Sequence, residues 1–405
     1  MSFQTGLSGL NASSKNLDVI GNNIANANTT GMKSSRVEFS DIVASSLGSS
    51  GGNQAGIGVA IAAISQQFTQ GSINITGNSL DVAINGGGFF QQTMPDGSFA
   101  YTRAGDFKLD SNGFIKTNSG GKLMGYPTTS AGVRTSSTLS PLQLPTGAPI
   151  AANATTTIAA QFNLPAGAPV AATAVPPTPR STYGTSLTAY DSQGTAVTAN
   201  FYFEKTAANT WKVFDGPTAA ATQVGTDLIF NANGQLTAVP AATIALPNPA
   251  AGGPPVLSTL IPSVNFTGVT QFGTGFSVSN LTQDGYTSGE LTKINIGETG
   301  AVTATYSNGK TQTAGQVALM DFRNVQGLRP VGGNNWIESS DSGQPVQGVP
   351  GTGKFGALRS GALEESNVDL TAELVNMMTA QRNYQANAQT IKTQDQVLST
   401  LVNLR

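Results

Sequence analysis

Apolar residues recur at alternating steps of four and three near both ends of the chain. At the start this spacing includes Leu7, Leu10 and Leu17, and at the end it includes Leu370 and Leu374. Such a repeat keeps one stripe of a helix turned towards a partner. The pattern predicts a helix from about residue 2 to residue 26 and a second helix that ends the chain. We expect the two helices to pair in a coiled-coil-like manner.

The predicted stripe is not uniformly apolar. Ser14, Gly21, Gln381 and Asp395 occupy positions that a rigid coiled coil fills with Leu or Ile, and polar residues there lower its stability. A stripe of this kind favours a helix–helix interface whose contacts can shift. The predicted assembly interface comprises Phe3, Leu7, Leu10, Leu17, Ile24, Leu370, Leu374, Met377, Gln381, Tyr384, Ile391, Leu398 and Val402.

Between the helices the chain has the pattern of antiparallel β structure. Short runs rich in β-branched and aromatic residues alternate with turn dipeptides, which are Asn85-Gly86, Asp96-Gly97, Asn112-Gly113 and Asn308-Gly309. The predicted fold class is therefore α+β and mainly β, with two nested antiparallel β domains beside the paired terminal helices.

Composition and topology predict how these parts are arranged. If the two ends pair, each β layer combines a segment before a central insertion with one after it. Gly and Ser are concentrated at 48–52, which is typical of an extended connector. The predicted parts are a helical assembly domain (1–30 and 361–405), an extended connector (31–71), an inner β domain (72–140 and 282–360) and an outer β domain inserted in it (141–281).

The composition excludes several classes of function. The 405 residues include neither His nor Cys, which excludes Ser-His-Asp and Cys-His nucleophile systems and His-based zinc sites. Only 10% of the residues are charged and the net charge is -2, which argues against a nucleic-acid partner. No apolar run reaches the roughly 20 residues of a membrane helix, so we expect no membrane insertion. The first basic residue, Lys15, lies too late for a Sec-type signal, so export would proceed without a cleaved signal peptide.

Three short motifs carry weak signals of chemistry. Gly86-Gly87-Gly88 lacks the Lys-Ser/Thr and the following helix of a phosphate-binding loop, so a turn is the expected structure. Asp110-Ser111-Asn112-Gly113 begins like a calcium loop, but its Gly comes too early and no Glu closes it. Glu364-Glu365 are adjacent and precede the last helix, where acidic residues favour the helix dipole. We predict no catalytic, cofactor-binding or metal site.

Longer motifs at both ends resemble those of the flagellar rod and hook protein family. The N-terminal motif comprises 6–10, 17–26 and 30–33, and the C-terminal motif comprises 360–370, 381–388 and 401–405. Two further segments, 80–90 and 101–107, are similar to the first β layer of that family. The Pro-rich part of the insertion, from about 147 to 179, has no such match.

The resemblance implies a structural subunit rather than an enzyme. The size of the insertion favours the hook-type members, which polymerise into a curved, flexible tube that transmits torque from rod to filament. The implied partners are further copies of the chain, the flagellar rod at the proximal end, the hook–filament junction protein at the distal end, and the hook cap and flagellar type III export machinery during assembly. The implied location is extracellular, in the flagellar hook and basal body.

Alternative functions remain open at this stage. A distal rod subunit of the same family is one alternative. A secreted β-rich adhesin is another, because aromatic residues could form a glycan-binding platform; they are Tyr183, Tyr190, Phe201, Tyr202, Phe203 and Trp211. An inverting glycosidase is a third, since two separated carboxylates on a β scaffold would suffice, although nothing in the sequence selects such a pair.

Overall fold

The structure is a computed structural model that describes residues 2–43, 56–145, 149–172, 178–239, 241–246 and 262–403. The chain forms two compact units. The first contains 1–147, 293–305 and 311–405, and the second contains 148–292 and 306–310, so the second unit is inserted in the sequence of the first.

Two long helices belong to the first unit, α1 (Ser2–Ala25) and α2 (Leu370–Asn403). Asp369 caps α2, since its carboxylate accepts hydrogen bonds from the backbone amides of Thr371 and Ala372, at 2.9 and 3.1 Å. Glu364 and Glu365 therefore lie too early to act on the helix dipole, which corrects that interpretation. Short 3₁₀ turns span Arg180–Thr182 and Val325–Gly327.

The strands before the insertion are β1 (Ser35–Val43), β2 (Gly56–Gln66), β3 (Ile73–Ile75), β4 (Val82–Asn85), β5 (Phe89–Thr93), β6 (Phe99–Thr102), β7 (Lys108–Leu109), β8 (Ile115–Lys116), β9 (Lys122–Tyr126) and β10 (Ser140–Pro141). Those of the insertion are β11 (Thr157–Pro165), β12 (Gly184–Tyr190), β13 (Ala196–Ala207), β14 (Thr210–Phe214), β15 (Leu228–Ile229), β16 (Ala242–Thr243), β17 (Ser263–Asn265), β18 (Thr270–Phe272) and β19 (Ser277–Gln283). The last group is β20 (Leu291–Ile296), β21 (Ala301–Tyr306), β22 (Thr311–Val317), β23 (Leu319–Asp321), β24 (Arg329–Gly332), β25 (Asn335–Ile337), β26 (Val346–Gly348), β27 (Ala357–Ser360) and β28 (Ala362–Glu364).

The largest sheet of the first unit joins strands from both sides of the insertion, in the order β20-β21-β22-β9-β5-β6-β25-β24. Asp96-Gly97, Asn112-Gly113 and Asn308-Gly309 turn the hairpins β5–β6, β7–β8 and β21–β22, as predicted. Asn85-Gly86 does not turn a hairpin, so that prediction is wrong. β4 pairs with β27, and the glycines that follow β4 let the chain pass close to Lys354 and Gly356.

Residues 31–71 contain more regular structure than an extended connector. β1 and β2 pair antiparallel, and Phe68 at the end of this segment packs its ring against Phe89 and Trp336. Trp336 also donates a hydrogen bond from Nε1 to Gln66 Oε1 at 2.6 Å. The predicted Gly/Ser cluster at 48–52 lies outside the described residues.

The second unit is entirely β apart from one 3₁₀ turn, within the part that the structure describes. One sheet has the order β12-β13-β14-β15, and another is built around β11 with β16 to β19. Phe201, Phe203 and Trp211 lie in its hydrophobic core, where each is at most 1% exposed. These three side chains are therefore unavailable to a surface glycan platform, the feature on which the adhesin hypothesis depended.

Candidate functional site: the paired terminal helices and their anchor

The terminal helices α1 and α2 pack against each other in antiparallel directions. A Cβ atom added at Gly6 would lie 3.1 Å from Ile391 Cγ1, and one added at Gly9 would lie 2.9 Å from Asn387 Nδ2. Near the other end, Asn23 Nδ2 donates to Glu373 Oε1 at 3.3 Å. Glycine thus allows the two backbones to come close together in the first half of α1.

The residues that bring the two helices together are mostly small or polar, with Ile20 and Ile391 as larger apolar members. On α1 the contact face follows Gly9, Ser13, Asn16, Ile20 and Asn23. Each of these immediately precedes a position of the predicted stripe. One residue rotates a helix face by about 100°. Except for Ile391, which lies against Gly6, the predicted stripe therefore lies beside the intrachain contact face instead of within it.

The contact face of α2 is offset from its predicted stripe in the same direction. It follows Glu373, Ala380, Asn383 and Asn387, of which Ala380 is the most buried. Both helices thus meet mostly through small and polar side chains. The physical reason is that close approach requires small residues, whereas the larger apolar side chains are left on an adjoining face.

Several predicted interface residues are exposed in the single chain. Their exposed fractions run from 37% to 53%, and the set, which we call the outward stripe, is Leu7, Leu370, Leu374, Tyr384 and Leu398. Gln381 is also exposed. Partly buried predicted positions are Leu10, Leu17, Ile24, Met377 and Ile391. The side chains of Phe3 and Val402 lie outside the described residues.

The exposed apolar surface of α2 extends beyond the predicted residues. Val375, Met378 and Val397 are each at least 50% exposed. The periodicity did not select them because they fall between the positions of a strict heptad. Together with the α2 members of the outward stripe they leave seven large apolar side chains exposed on the described part of α2.

The strands β1 and β2 lie against α1. Gly58 in β2 has a φ of 139°, and Val59 donates from its backbone amide to Ser8 Oγ at 3.3 Å. A Cβ atom at Gly58 would collide with that hydroxyl. Exposed apolar side chains also occur on this pair of strands, at Phe39, Ile42, Ile61 and Ile64.

A buried group of charges anchors both helices to the β structure. Glu364 accepts from Lys33 Nζ at 2.6 Å and from Arg103 Nη1 at 3.2 Å. Lys33 and Glu364 are fully buried and Arg103 is 5% exposed. We call these three residues the Glu364 cluster. Lys33 follows α1, Arg103 follows β6, and Glu364 precedes α2.

Backbone groups complete the Glu364 cluster. The amide of Gly71 donates to Glu364 Oε1 at 3.0 Å, and that of Gly31 donates to the Glu364 carbonyl at 2.8 Å. Lys33 also donates to the Thr69 carbonyl and Arg103 to that of Gly86. The cluster therefore connects the segments that leave α1, enter the β sheets and lead into α2.

Two cations share one carboxylate in this cluster. Burial lowers the pKa of the Lys33 ammonium, although Glu364 acts in the opposite direction. Burial likewise lowers the pKa of the Arg103 guanidinium, again against the effect of Glu364. Removing the carboxylate would leave two buried cations without a counterion.

Sequence reasoning missed this cluster, although each member lies in one of the quoted motifs. Lys33 ends the N-terminal motif, Arg103 lies in 101–107 and Glu364 lies in 360–370. The available signal was weak, because 101–107 and 360–370 contain further acidic residues, so that charge alone does not single out Arg103 and Glu364. Because the three residues lie far apart in the sequence, their spacing gave no indication that they are in contact.

The motif that begins like a calcium loop has a structural role. Asp110 forms an ion pair with Lys116 and accepts a hydrogen bond from the Ser111 amide. Among the described residues, no three His, Cys, Asp or Glu side chains are grouped as metal ligands. Neither described helix has the length and apolar character needed to cross a membrane.

Comparison with known proteins matches successive parts of the chain to four family models. They are the flagella basal body rod protein (3–33), the flagellar hook protein FlgE/F/G D1 domain (83–161), the flagellar basal body protein FlaE D2 domain (163–286) and the flagellar basal body rod FlgEFG protein C-terminal region (359–404). The flagellar hook protein FlgE of Escherichia coli is 42% identical over 100% of both chains. The chain belongs to the flagellar hook protein family.

Other members of the hook family are similar over the same extent. The flagellar hook protein FlgE of Salmonella typhimurium is 42% identical over 100% of both chains, and that of Rhizobium meliloti is 37% identical over 100% of this chain and 98% of its own. The crystal structure of Helicobacter pylori flagellar hook protein FlgE2 matches 72% of this chain and 100% of its own, with a TM-score of 0.50 and 15% identity. This last similarity concerns the fold alone.

Proposed function

We propose that this chain is the structural subunit of the flagellar hook, which polymerises into a curved, flexible tube and transmits torque from rod to filament. The observation that carries the proposal is the outward stripe: its apolar side chains are left uncovered by the intrachain pairing of α1 and α2. Full-length similarity to proteins named flagellar hook protein supports it. The stripe would be buried between neighbouring copies in the polymer.

The composition of the stripe suits a polymer that bends as it rotates. Gln381 and Asp395 are exposed, and neither side chain has a hydrogen bond or ion pair within the described part of the chain. Polar positions tolerate small changes in spacing better than interlocked apolar side chains do, because tightly packed surfaces resist displacement. The contacts between copies would therefore shift during each rotation of the tube without breaking.

The helices are weakly stabilised within one chain, which suits assembly from exported subunits. In the described part of α2 only Ala380 is buried, and in α1 the buried apolar side chains are Ala12, Val19 and Ile20. Most helical stability in proteins comes from such packing. Both termini of the free subunit would be largely unfolded and would become ordered on incorporation.

The remaining proposals concern location and partners. The subunit would act outside the cell body, in the hook and basal body, after export by the flagellar type III machinery without a cleaved signal peptide. Its partners would be further copies of itself, the rod at the proximal end, the hook–filament junction protein at the distal end, and the hook cap during growth. No catalytic step is assigned to it.

Immunogold electron microscopy tests the proposal on flagellated cells that express the protein. An antibody against 141–281 should place gold on the short curved joint between cell body and filament. Gold on an exposed envelope away from that joint would favour the adhesin, and gold only on detergent-extracted basal bodies would favour a rod subunit. Either of these results would overturn the hook assignment.

Amide hydrogen exchange tests the folding step. The purified, unpolymerised subunit should exchange rapidly throughout α1 and α2 while the β sheets stay protected. In assembled tubes the same helices should become protected. Protected helices in the free subunit would contradict the proposal that they order on incorporation.

A further inference from the structure

The thioether of Met378 belongs to an exposed side chain of α2. This side chain is 53% exposed, and no other methionine among the described residues is exposed to a comparable degree. The other described methionines are partly or fully buried, and they are Met32, Met94, Met124, Met320 and Met377. Met378 is therefore the thioether that a dissolved reagent reaches most readily when α2 is helical.

Met378 points away from α1. Ala380, which is 2% exposed, and Asn387, which lies against Gly9, mark the contact face of α2. Each residue of an α-helix turns the direction of the side chain by about 100°. Met378 lies before both of these residues in the sequence, and its direction differs from that of Ala380 by about 160° and from that of Asn387 by about 180°. The pairing of the two helices therefore leaves Met378 uncovered.

The surface that leads up to Met378 on α2 is apolar. Leu374 and Val375 lie one helical turn before Met378, and their side chains are 47% and 51% exposed. Residues three and four positions apart are neighbours on the surface of a helix, so the three side chains form one apolar patch. The proposed polymer buries this surface between copies. A polar atom introduced at Met378 would then lose its contact with water and find no hydrogen-bond partner in the patch, which is unfavourable.

Oxidation of the thioether introduces such an atom. A lone pair of the sulfur attacks one oxygen of hydrogen peroxide, an S–O bond forms and the O–O bond breaks. The proton of the transferred oxygen passes to the departing hydroxide, which leaves as water. The sulfur is thereby oxidised from thioether to sulfoxide while the peroxide is reduced, and the product is a polar side chain in place of an apolar one.

We propose that Met378 is an oxidation site at which peroxides convert the subunit to a form that is not incorporated into the polymer. This inference rests on the proposed function, because it requires that neighbouring copies cover the apolar surface of α2. In the free subunit the oxidant reaches Met378 whether α2 is unfolded or paired with α1. In the tube neighbouring copies shield the same thioether. Oxidation therefore acts on subunits before incorporation, and finished tubes resist it.

Two matched chains isolate the effect of Met378. Both carry Met377→Leu, which removes the adjacent thioether and keeps an apolar side chain of similar volume, and one also carries Met378→Leu. The remaining methionines are identical in the two chains, so oxidation elsewhere affects both equally. The free subunits are treated with hydrogen peroxide, which is then removed. We expect the critical concentration for assembly to rise about tenfold more in the chain that keeps Met378, which corresponds to about 1.4 kcal/mol.

A partition experiment needs no substitution. Wild-type subunits are oxidised until about half of the Met378 side chains carry an oxygen atom and are then allowed to assemble. Peptide mass spectrometry should find the Met378 sulfoxide depleted from the tubes and enriched in the unassembled fraction. The sulfoxides of Met32 and Met94, which lie outside the helices, should divide evenly and serve as internal controls. In finished tubes the same peroxide treatment should oxidise Met378 about tenfold more slowly than in free subunits.

Three results would overturn the inference. One is a treated chain with Met378 that assembles as well as the treated chain without it. Another is a Met378 sulfoxide that enters the tubes as readily as the unmodified side chain does. The third is oxidation of Met378 at equal rates in tubes and in free subunits. An untreated wild-type chain that forms no tubes under any condition would instead contradict the proposed function itself.

Discussion

At the residue scale, the Glu364 cluster connects the segment after α1 and the segment before α2 to the β structure. A buried ion pair contributes little compared with an apolar replacement, but loss of one member leaves an uncompensated buried charge. Here the loss of one carboxylate affects two cations, Lys33 and Arg103. The cluster therefore acts mainly to specify how the three segments join.

Glu364→Gln should lower the free energy of unfolding of the first unit by about 3–5 kcal/mol, because Lys33 and Arg103 remain buried without a counterion. The chain has two tryptophans, Trp211 in the second unit and Trp336 in the first, so Trp211→Phe leaves a fluorescence signal from the first unit alone. Urea unfolding followed in that background measures the effect. Glu365→Gln should stay within about 0.5 kcal/mol of wild type, and an equal effect of the two substitutions would contradict this role.

The pKa of Asp284 indicates that the stability of the second unit depends on pH. Burial acts to raise the pKa of its carboxyl, but hydrogen bonds from the Thr156 hydroxyl and from the backbone amides of Thr156 and Thr157 outweigh it and lower the pKa to about 2. A folded-state pKa below the ordinary 3.8 gives stability that is present above 3.8 and is lost as the pH falls towards 2.

Asp284→Asn should therefore flatten the acid dependence of unfolding over that interval. Trp211 fluorescence in a Trp336→Phe background reports on the second unit. An unchanged slope of the free energy of unfolding against pH would show that these hydrogen bonds do not favour the charged carboxylate.

At the element scale, periodicity predicted the two helices but not the face through which they meet. The heptad pattern selects large apolar residues, whereas the contact face depends on Gly6, Gly9 and small or amide side chains. Three of the four turn dipeptides predicted hairpins correctly, and in each of these the next strand along the chain is the partner. They failed at Asn85-Gly86, because β4 pairs with β27 and no local signal encodes a partner so distant in sequence.

Gly9→Leu should weaken the pairing of α1 with α2, since even a Cβ atom there lies 2.9 Å from the Asn387 side chain. We expect fewer tubes and lower helix content in the assembled material, measured by electron microscopy and circular dichroism. Gly21→Ala is the control, because a Cβ atom at Gly21 meets nothing within 4 Å. Alanine there should favour the helix by up to about 1 kcal/mol. Equal loss of assembly in both variants would contradict the observed contact face.

At the scale of the whole molecule, sequence alone predicted a mainly β chain with helices at both ends and an insertion between them. The heptad spacing at both ends, the turn dipeptides and the pairing expected of the two ends were sufficient for that. The second unit comprises 148–292 and also 306–310, which is the turn of the β21–β22 hairpin, and no local signal in the sequence marks that turn as part of this unit. The buried meeting of Lys33, Arg103 and Glu364 depends on tertiary structure and could not be predicted from spacing.

Replacing polar stripe positions should change the mechanics of the polymer. Gln381→Leu combined with Asp395→Leu would extend the apolar surface of α2, and better interlocking between copies should stiffen or straighten the tube. Curvature and persistence length measured from electron micrographs test this. If the variant tubes are as flexible as those of the wild type, the result would contradict the proposal that the polar positions permit bending.

The central claim is that the outward stripe is buried between copies of the chain, and cysteine labelling at Leu374 tests it most directly. The chain has no native cysteine, so Leu374→Cys provides a single reactive thiol. A maleimide should label it rapidly in the free subunit, because the unfolded segment leaves it accessible and even the paired helix leaves the side chain 47% exposed, and at least tenfold more slowly in assembled tubes. Equal labelling rates in free subunits and tubes would contradict the account.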